Sequence, residues 1–204
     1  MRTIIAVPSM DQVPARFAQS LTTLERTGDV MLAWEVGSLI YEARNKLVQH
    51  AIKAEADRIL WLDSDMVFKP DLLRRLEASG KDFVTGLYFR RVPPFTPVLF
   101  DRFDIDGENC TWTEFKTIPD KPFLVGGCGF GGVLMSMDVV MSVQNKFKNC
   151  FAPIGGIGED LAFCWRARQC GYDIWCDPNA EMGHCGNTII TRSIWEGVKN
   201  ANKG

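Results

Sequence analysis

Short apolar runs alternate with longer amphipathic segments along the first 90 residues of the chain. Apolar runs of five to seven residues are typical of strands buried inside a parallel sheet, and apolar residues three or four positions apart are typical of helices. The predicted strands span 3–7, 30–36, 58–62 and 82–88, and the predicted helices span 14–26, 40–55 and 70–78. This order predicts parallel strands joined by right-handed helical crossovers.

The second half of the sequence follows a different pattern. Short alternating runs between 96 and 121 predict hairpins. Five glycines follow between Gly126 and Gly132, which indicates either a tight bend of a strand or a close approach of the backbone to a ligand. Further along, helices are predicted near 137–143, 159–168 and 193–199, a strand at 171–176 and a glycine-rich loop at 153–158.

The third predicted strand runs directly into Asp63-Ser64-Asp65. Ligands of open α/β sheets bind at the carboxyl ends of the strands. Two carboxylates at such a position are hard oxygen ligands that suit Mg²⁺ or Mn²⁺, and these ions in turn bind phosphates. The alternative is that both aspartates only end the strand, because Asp favours turns and Pro70-Asp71 then begins the next helix.

Composition narrows the class of protein. A chain of 204 residues with 46% apolar and 24% charged residues is typical of one globular domain. The net charge of −2 gives no basic surplus that would indicate nucleic-acid binding. The apolar runs are shorter than the roughly 20 residues that cross a bilayer, and the first residues are typical of a strand and not of a signal peptide. We therefore expect no transmembrane segment and a cytoplasmic location.

Cysteines and histidines offer a few further candidates. Seven cysteines without a Cys-x-x-Cys pair indicate neither a disulfide framework nor a zinc ribbon, so we expect reduced thiols. A zinc site from Cys176, His184 and Cys185 has unfavourable spacing. His184 lies between glycines in a predicted loop, which fits either exposure to solvent or ligation. Glu159-Asp160 at a helix start fits either the helix dipole or catalysis.

The order of these motifs resembles that of GT-A-fold glycosyltransferases, especially small family-2-like members. The resemblance covers most of the chain and rests on the first strand ending in Pro8, Ala43-Arg44-Asn45, Asp63-Ser64-Asp65, the glycines of 126–134, Gly158-Glu159-Asp160-Leu161, Gly171-Tyr172 and His184. It implies an α/β fold of the GT-A type, a three-layer α/β/α sandwich with a mostly parallel sheet and an added antiparallel part on the acceptor side. It also implies a single domain over 1–204, with a nucleotide-binding half at 1–91 and an acceptor and catalytic half at 92–204.

The resemblance also implies an activity, the transfer of a sugar from a UDP- or GDP-sugar to a hydroxyl acceptor. Asp65 would bind a Mn²⁺ or Mg²⁺ ion on the donor diphosphate, Asp63 would bind the ribose or a water of that ion, and His184 would be a further metal ligand. Asp160, paired with Glu159, would be the base that deprotonates the acceptor in an inverting reaction. The remaining predicted donor-binding residues are Pro8, Arg44, Asn45 and Ser64.

Other functions fit parts of the sequence. A haloacid-dehalogenase-like phosphatase would use Asp63 as nucleophile and Asp65 as acid and base, although its motif normally lies on the first strand. A non-catalytic sugar-nucleotide-binding module would keep the donor site without a working base. A nucleotidyltransferase would usually have a glycine-rich basic loop after the first strand, where this chain has Pro8-Ser9-Met10. The Arg90-Arg91 pair is typical of a solvated corner, with a part in acceptor recognition as the alternative.

Overall fold

The computed structural model describes residues 1–37, 39–107, 109–186 and 188–201. The strands are β1 (Arg2–Ser9), β2 (Asp29–Val36), β3 (Arg58–Leu62), β4 (Met66–Val67), β5 (Phe83–Leu87), β6 (Leu99–Asp106), β7 (Asn109–Glu114), β8 (Phe123–Val125), β9 (Gly127–Cys128), β10 (Gly132–Ser136), β11 (Ile174–Glu181), β12 (Gly183–Cys185) and β13 (Ile189–Ile190). The helices are α1 (Ala15–Thr23), α2 (Ile40–Lys53), α3 (Leu72–Ala78), α4 (Met137–Phe147), α5 (Glu159–Gln169) and α6 (Arg192–Ala201). The strands and helices expected in the first 90 residues are all present, with their ends shifted by a few residues.

A seven-stranded sheet in the order β2-β1-β3-β10-β5-β11-β8 forms the centre of the fold. β1 pairs in parallel with β2 and β3, and β5 pairs in parallel with β11. β10 and β8 run antiparallel to their neighbours. The sheet is therefore mixed, with five strands pointing one way, and it belongs to the α/β class with the GT-A-like sandwich that the sequence predicts.

Two apolar clusters cover the two faces of the sheet. Because successive side chains of a strand point to opposite faces, Ile4 and Ala6 of β1 pack into one cluster and Ile5 and Val7 pack into the other. The first cluster also contains apolar residues of α2, α4 and α5, and the second contains those of α1 and α3. The helices thus form the two outer layers of a three-layer sandwich.

The order of the central strands differs from the simple parallel succession that the first 90 residues predict. β10 lies between β3 and β5 and runs antiparallel to both. Four of its five residues are fully buried, so its apolar side chains contribute to both clusters. A strand from the second half of the chain therefore occupies the centre of the sheet, because that position buries both of its faces.

The glycines just before β10, and Gly132 at its start, approach other parts of the chain. A Cβ atom on Gly129 would lie 2.1 Å from the hydroxyl oxygen of Tyr88, and one on Gly132 would lie 2.3 Å from the sulfur of Met182. At Gly126 it would lie 2.6 Å from the backbone nitrogen of Phe103. Tight packing against other parts of the chain therefore accounts for these three glycines, which is neither the bend of a strand nor the approach to a ligand that the sequence suggested.

Two three-stranded sheets flank the main sheet. One has the order β13-β12-β4, and the other joins the hairpin β6–β7 to β9. The hairpin accounts for the alternating pattern between 96 and 121. The seven cysteines are free thiols, four of them buried. None of the helices in the described ranges is both long and apolar enough to cross a membrane.

Candidate active site

The buried strand β3 ends in the turn Asp63-Ser64-Asp65 at one edge of the sheet. The backbone amide of Asp63 donates to the carbonyl of Gly131 at 3.3 Å, and Met66 then begins β4. The side chains of Asp63 and Asp65 are 29% and 28% exposed. Ser64 between them is half-buried. The strand therefore carries both carboxylates from the core to a surface that a ligand can reach.

Asp65 lies next to His184. The Nε2 atom of His184 is 3.2 Å from Oδ2 of Asp65, although the two residues are 119 positions apart in the chain. Antiparallel pairing of β12 with β4 brings them together, since His184 lies opposite Met66. The Nδ1 atom of His184 is 2.9 Å from the carbonyl oxygen of Phe89, which favours a proton on Nδ1. The contact with Asp65 is a hydrogen bond when Nε2 also carries a proton, because a carboxylate oxygen accepts. Loss of the Nε2 proton leaves a lone pair directed at the site.

Arg91 completes this cluster. Its Nη1 atom is 2.9 Å from the same Oδ2 atom of Asp65, and its side chain is 56% exposed. Burial alone would raise the pKa of Asp65, but the hydrogen bond with His184 and the charges of His184 and Arg91 hold it below its ordinary value. Burial would lower the pKa of His184, and the contact with Asp65 instead raises it.

The pattern of the sequence alone does not predict a contact between Arg91 and Asp65. The available signal is positional, because Arg91 follows β5, whose direction matches that of β3. The carboxyl ends of strands that point the same way lie at one edge of a sheet. A charged residue just beyond β5 is therefore a candidate for the same site.

Arg44 connects Asp63 to the start of α5. Its side chain is only 2% exposed; its Nη2 atom donates to Oδ1 of Asp63 at 2.7 Å, and its Nε atom lies 3.3 Å from Oε1 of Glu159. The guanidinium carbon lies 5.2 to 5.9 Å from the centres of three aromatic rings, those of Trp61, Phe130 and Phe151. Within the described part of the chain, Nη1 is buried without a hydrogen-bond partner. Arg44 thus holds two acidic residues of distant segments at a fixed separation.

Asp160 follows Glu159 in the first turn of α5. Its Oδ1 atom accepts a hydrogen bond from the backbone amide of Leu161 at 2.7 Å. Burial and the negative charges of Glu159 and Asp63 raise the pKa of Asp160 to about 6, against the opposing effects of that hydrogen bond and of Arg44. A carboxylate with a pKa in this range is suited to accept a proton near neutral pH.

The other predicted donor-binding residues are placed differently. Pro8 is buried near the end of β1, opposite Glu35 of β2. The amide nitrogen of Asn45 donates to the side chain of Asn149 at 2.8 Å, and its amide oxygen accepts from the backbone of Phe151 at 3.3 Å. Asn45 therefore uses both ends of its amide to hold the segment before the loop that precedes α5.

Few residues of the site could hold a metal ion. No cluster of three or more His, Cys, Asp or Glu side chains with metal-binding geometry occurs in residues 1–37, 39–107, 109–186 and 188–201, so neither a closed metal cage nor the zinc site considered from the sequence is formed there. Asp65 and His184 supply one carboxylate oxygen and one imidazole nitrogen side by side. That donor pair fits an ion such as Mn²⁺ or Mg²⁺ whose other ligands are water and phosphate.

The fold and this sheet edge define an α/β protein of GT-A-like architecture. Among solved structures, A197 from STIV superposes with a TM-score of 0.68 at 17% identity, over 95% of this chain and 91% of that chain. GalNAc-T7 with UDP, GalNAc and Mn²⁺ superposes with a TM-score of 0.61 at 11% identity. The match covers 90% of this chain and 44% of that of GalNAc-T7, so the chain spans less than half the length of that protein.

Sequence comparison adds no closer relative. No protein-family model matches the chain, and no curated protein matches it in sequence. At such low identities the structural similarities establish the fold alone.

Proposed function

We propose that the chain is a metal-dependent glycosyltransferase that moves a sugar from a nucleotide-sugar donor to a hydroxyl acceptor. The observation that carries this proposal is the arrangement at the end of β3. Asp65 contacts His184 on one side, and Arg44 links Asp63 to the helix of Asp160 on the other. The similarity in fold to GalNAc-T7, which was crystallised with UDP, GalNAc and Mn²⁺, supports the assignment.

Asp65 and His184 would hold the divalent ion, Mn²⁺ or Mg²⁺, and Asp63 would hold the donor ribose or a water of the ion. Such an ion, when bound, stabilises the negative charge that develops on the diphosphate by several kcal/mol. The contact of His184 with the Phe89 carbonyl resembles the support that metal-binding histidines usually have. The exposed guanidinium of Arg91 adds a positive charge beside the proposed diphosphate position.

Asp160 would be the general base. The acceptor oxygen forms a bond to the anomeric carbon of the donor and passes its proton to the Asp160 carboxylate, while the bond from that carbon to the diphosphate breaks and its electron pair leaves with the nucleoside diphosphate. A positioned base contributes about 10²- to 10⁴-fold to such a step. One base and one displacement give inversion at the anomeric carbon. Glu159, bound to Arg44, would position the helix.

In this proposal, the two halves of the chain bind different substrates. Residues 1–91 bind the UDP- or GDP-sugar. Arg44 acts there through its ion pair with Asp63, and Pro8 and Ser64 shape the part of the donor site that holds the nucleotide. Residues 92–204 supply the base and the acceptor contacts.

The phosphatase alternative has less support from the geometry. Its nucleophile would be Asp63, whose Oδ1 atom is bound by Arg44 at 2.7 Å, and its acid would be Asp65, which is bound by His184 and Arg91. Both carboxylates thus have partners inside the chain. A binding module without activity would share the donor site and differ only in the role of Asp160.

The test is thermal unfolding with UDP, GDP or CDP, each with and without MnCl₂, on the parent chain and on Asp65→Asn. A ligand at 100 times its Kd stabilises the folded state by about 2.7 kcal/mol. We expect a rise in melting temperature that needs one nucleotide together with metal and is lost in Asp65→Asn. If no nucleotide raises the melting temperature with or without metal, the donor site is wrong.

Catalysis is tested separately from donor binding. Asp160→Asn should keep the melting shift with nucleotide and metal but lose turnover of the nucleotide sugar. Donor binding without turnover in the parent chain would instead favour the binding module. Equal turnover in Asp160→Asn and the parent chain would show that Asp160 is not the base.

A further inference from the structure

A cavity of about 370 Å³ opens between the hairpin β6–β7 and the loop before α5. Its walls include Trp112 and Glu114 of β7 on one side and Gly158 and Leu161 on the other. Gly158 and Leu161 flank Glu159 and Asp160 directly in the chain, so the cavity borders the first turn of α5, which carries the proposed base, although Asp160 itself is not among the residues of its walls. Its volume is at the small end of the range of about 300–1,000 Å³ for ligand pockets, which suits a single ring system at the end of a longer molecule.

The strand period explains why β7 forms this wall. Alternate residues of a strand point to the same face, and Cys110, Trp112 and Glu114 line this cavity. Thr111 and Thr113 line a neighbouring cavity instead, which Trp112 also borders. In the hairpin, Trp112 lies opposite Phe103. Phe103 is buried and lines the same cavity as part of its apolar base.

Trp112 is a large aromatic residue with an exposed side chain. Its side chain is 56% exposed, and among the large apolar residues that are exposed in the described ranges it is the single aromatic one. An exposed indole gains little from folding and offers a flat apolar face with one N–H donor at its edge. Such a face on the wall of a cavity that borders the first turn of α5 is suited to stack against a substrate ring.

The same cavity also has two charged side chains. Glu114 and Arg90 both line it and both are exposed. A carboxylate accepts hydrogen bonds and a guanidinium donates several, so the pair matches a ligand with many hydroxyl groups and no net charge. A pyranose ring has this combination, because its hydroxyls form hydrogen bonds at the edge while its C–H groups present an apolar face. A long-chain alcohol has a single hydroxyl and would make few hydrogen bonds with these two groups.

We propose that this cavity is the acceptor site and that the acceptor is a carbohydrate, whose terminal sugar ring stacks on Trp112 with its hydroxyls directed to Glu114, Arg90 and Asp160. This inference rests on the glycosyltransferase function proposed above. It assigns the acceptor class, which that function leaves open, and it makes Trp112 the main determinant of acceptor affinity.

The experiment measures transfer from the nucleotide sugar that stabilises the parent chain. The acceptors are glucose, galactose and N-acetylglucosamine with their short oligomers, peptides containing Ser and Thr, and a long-chain alcohol. The variants are Trp112→Ala, Trp112→Phe and, as a matched control on the opposite face of β7, Thr111→Ala. All should melt near the temperature of the parent chain, because both positions are exposed.

We expect a saccharide to be the acceptor, with a KM about tenfold higher in Trp112→Ala. The donor-induced melting shift should stay the same, Trp112→Phe should recover most of the affinity, and Thr111→Ala should behave like the parent chain. Preferred transfer to the peptides or the alcohol would overturn the inference, as would an unchanged saccharide KM in Trp112→Ala.

The two proposals can fail separately. If the nucleotide and metal stabilise the parent chain and the nucleotide sugar is hydrolysed, but no saccharide accepts the sugar, the acceptor assignment alone is wrong. If no nucleotide stabilises the chain and no nucleotide sugar is turned over, both the function and the acceptor assignment are wrong.

Discussion

Replacing Arg44 with Met tests whether the ion pairs of Arg44 hold the site together. Arg44 is 2% exposed and is bound to Asp63 and Glu159, whose side chains are 29% and 15% exposed. Without Arg44, two partly buried carboxylates would face each other and Asp160 with no cation between them. Met fills much of the same volume among the aromatic rings, so the change removes the charge with little loss of packing.

The expected loss is about 2–3 kcal/mol of unfolding free energy. Removing one partner of a buried pair usually costs about 3–5 kcal/mol, and the loss of the guanidinium over aromatic rings adds about 0.5–2 kcal/mol. Two effects reduce this loss of unfolding free energy. The remaining carboxylates keep some contact with water, and the variant no longer has to bury a guanidinium. A change of this size lowers the melting temperature of a chain of this length by about 5–10 °C.

Urea unfolding at pH 7 measures the change directly. The double variant Arg44→Met with Glu159→Gln should be less destabilised than the sum of the single variants, with a coupling of about 1 kcal/mol. Lys46→Met is the matched control on the same helix, because its exposed ion pair with Glu35 at 3.8 Å should contribute close to zero. Unchanged or higher stability of Arg44→Met would refute the reasoning and show that these ion pairs do not stabilise the fold.

Three further predictions concern the same region. Since the pKa of Asp160 is about 6 in the folded chain and 3.8 is its ordinary value, its ionised form opposes folding above pH 6, and this penalty disappears as the pH falls towards 4. Urea unfolding of Asp160→Asn should show a gain of about 3 kcal/mol at pH 8 and less than about 1 kcal/mol at pH 4; an equal gain at both would contradict the raised pKa. Arg91→Ala should bind Mn²⁺ several-fold more tightly in calorimetric titration, because the competing cation at Asp65 is removed, and weaker binding would exclude this competition. Gly129→Ala should lose about 2 kcal/mol of stability through overlap with Tyr88, whereas Gly197→Ala in α6 should gain up to about 1 kcal/mol; similar urea midpoints would contradict the packing argument.

Local patterns predicted the elements around the site well. The apolar run of β3 and the two aspartates after it are neighbours in the chain, so their positions relative to the strand follow from the sequence alone. The same is true of Glu159 and Asp160 at the start of α5. The α/β class was also predictable, because strands and amphipathic helices alternate over the first 90 residues.

The neighbours of each strand were less predictable. β10 inserts between β3 and β5, and its own residues do not predict which strands it pairs with. A strand that is apolar on both faces suits any central position of a sheet, and the one it takes depends on the packing of all the other elements. The glycines around its start were ambiguous for the same reason, since Tyr88 and Met182, which approach them, directly follow two other strands, β5 and β11.

The sequence by itself determined which segments are strands and helices and which carboxylates end them, because hydrophobic periodicity depends on residues a few positions apart. Only the tertiary structure decided which side chains meet at the site. His184 contacts Asp65 across 119 positions, and Arg44 contacts Glu159 across 115. Such contacts depend on how strands pair and layers pack over the whole core, and this is also why the role of Arg91 became visible only once β5 and β3 shared one edge of the sheet.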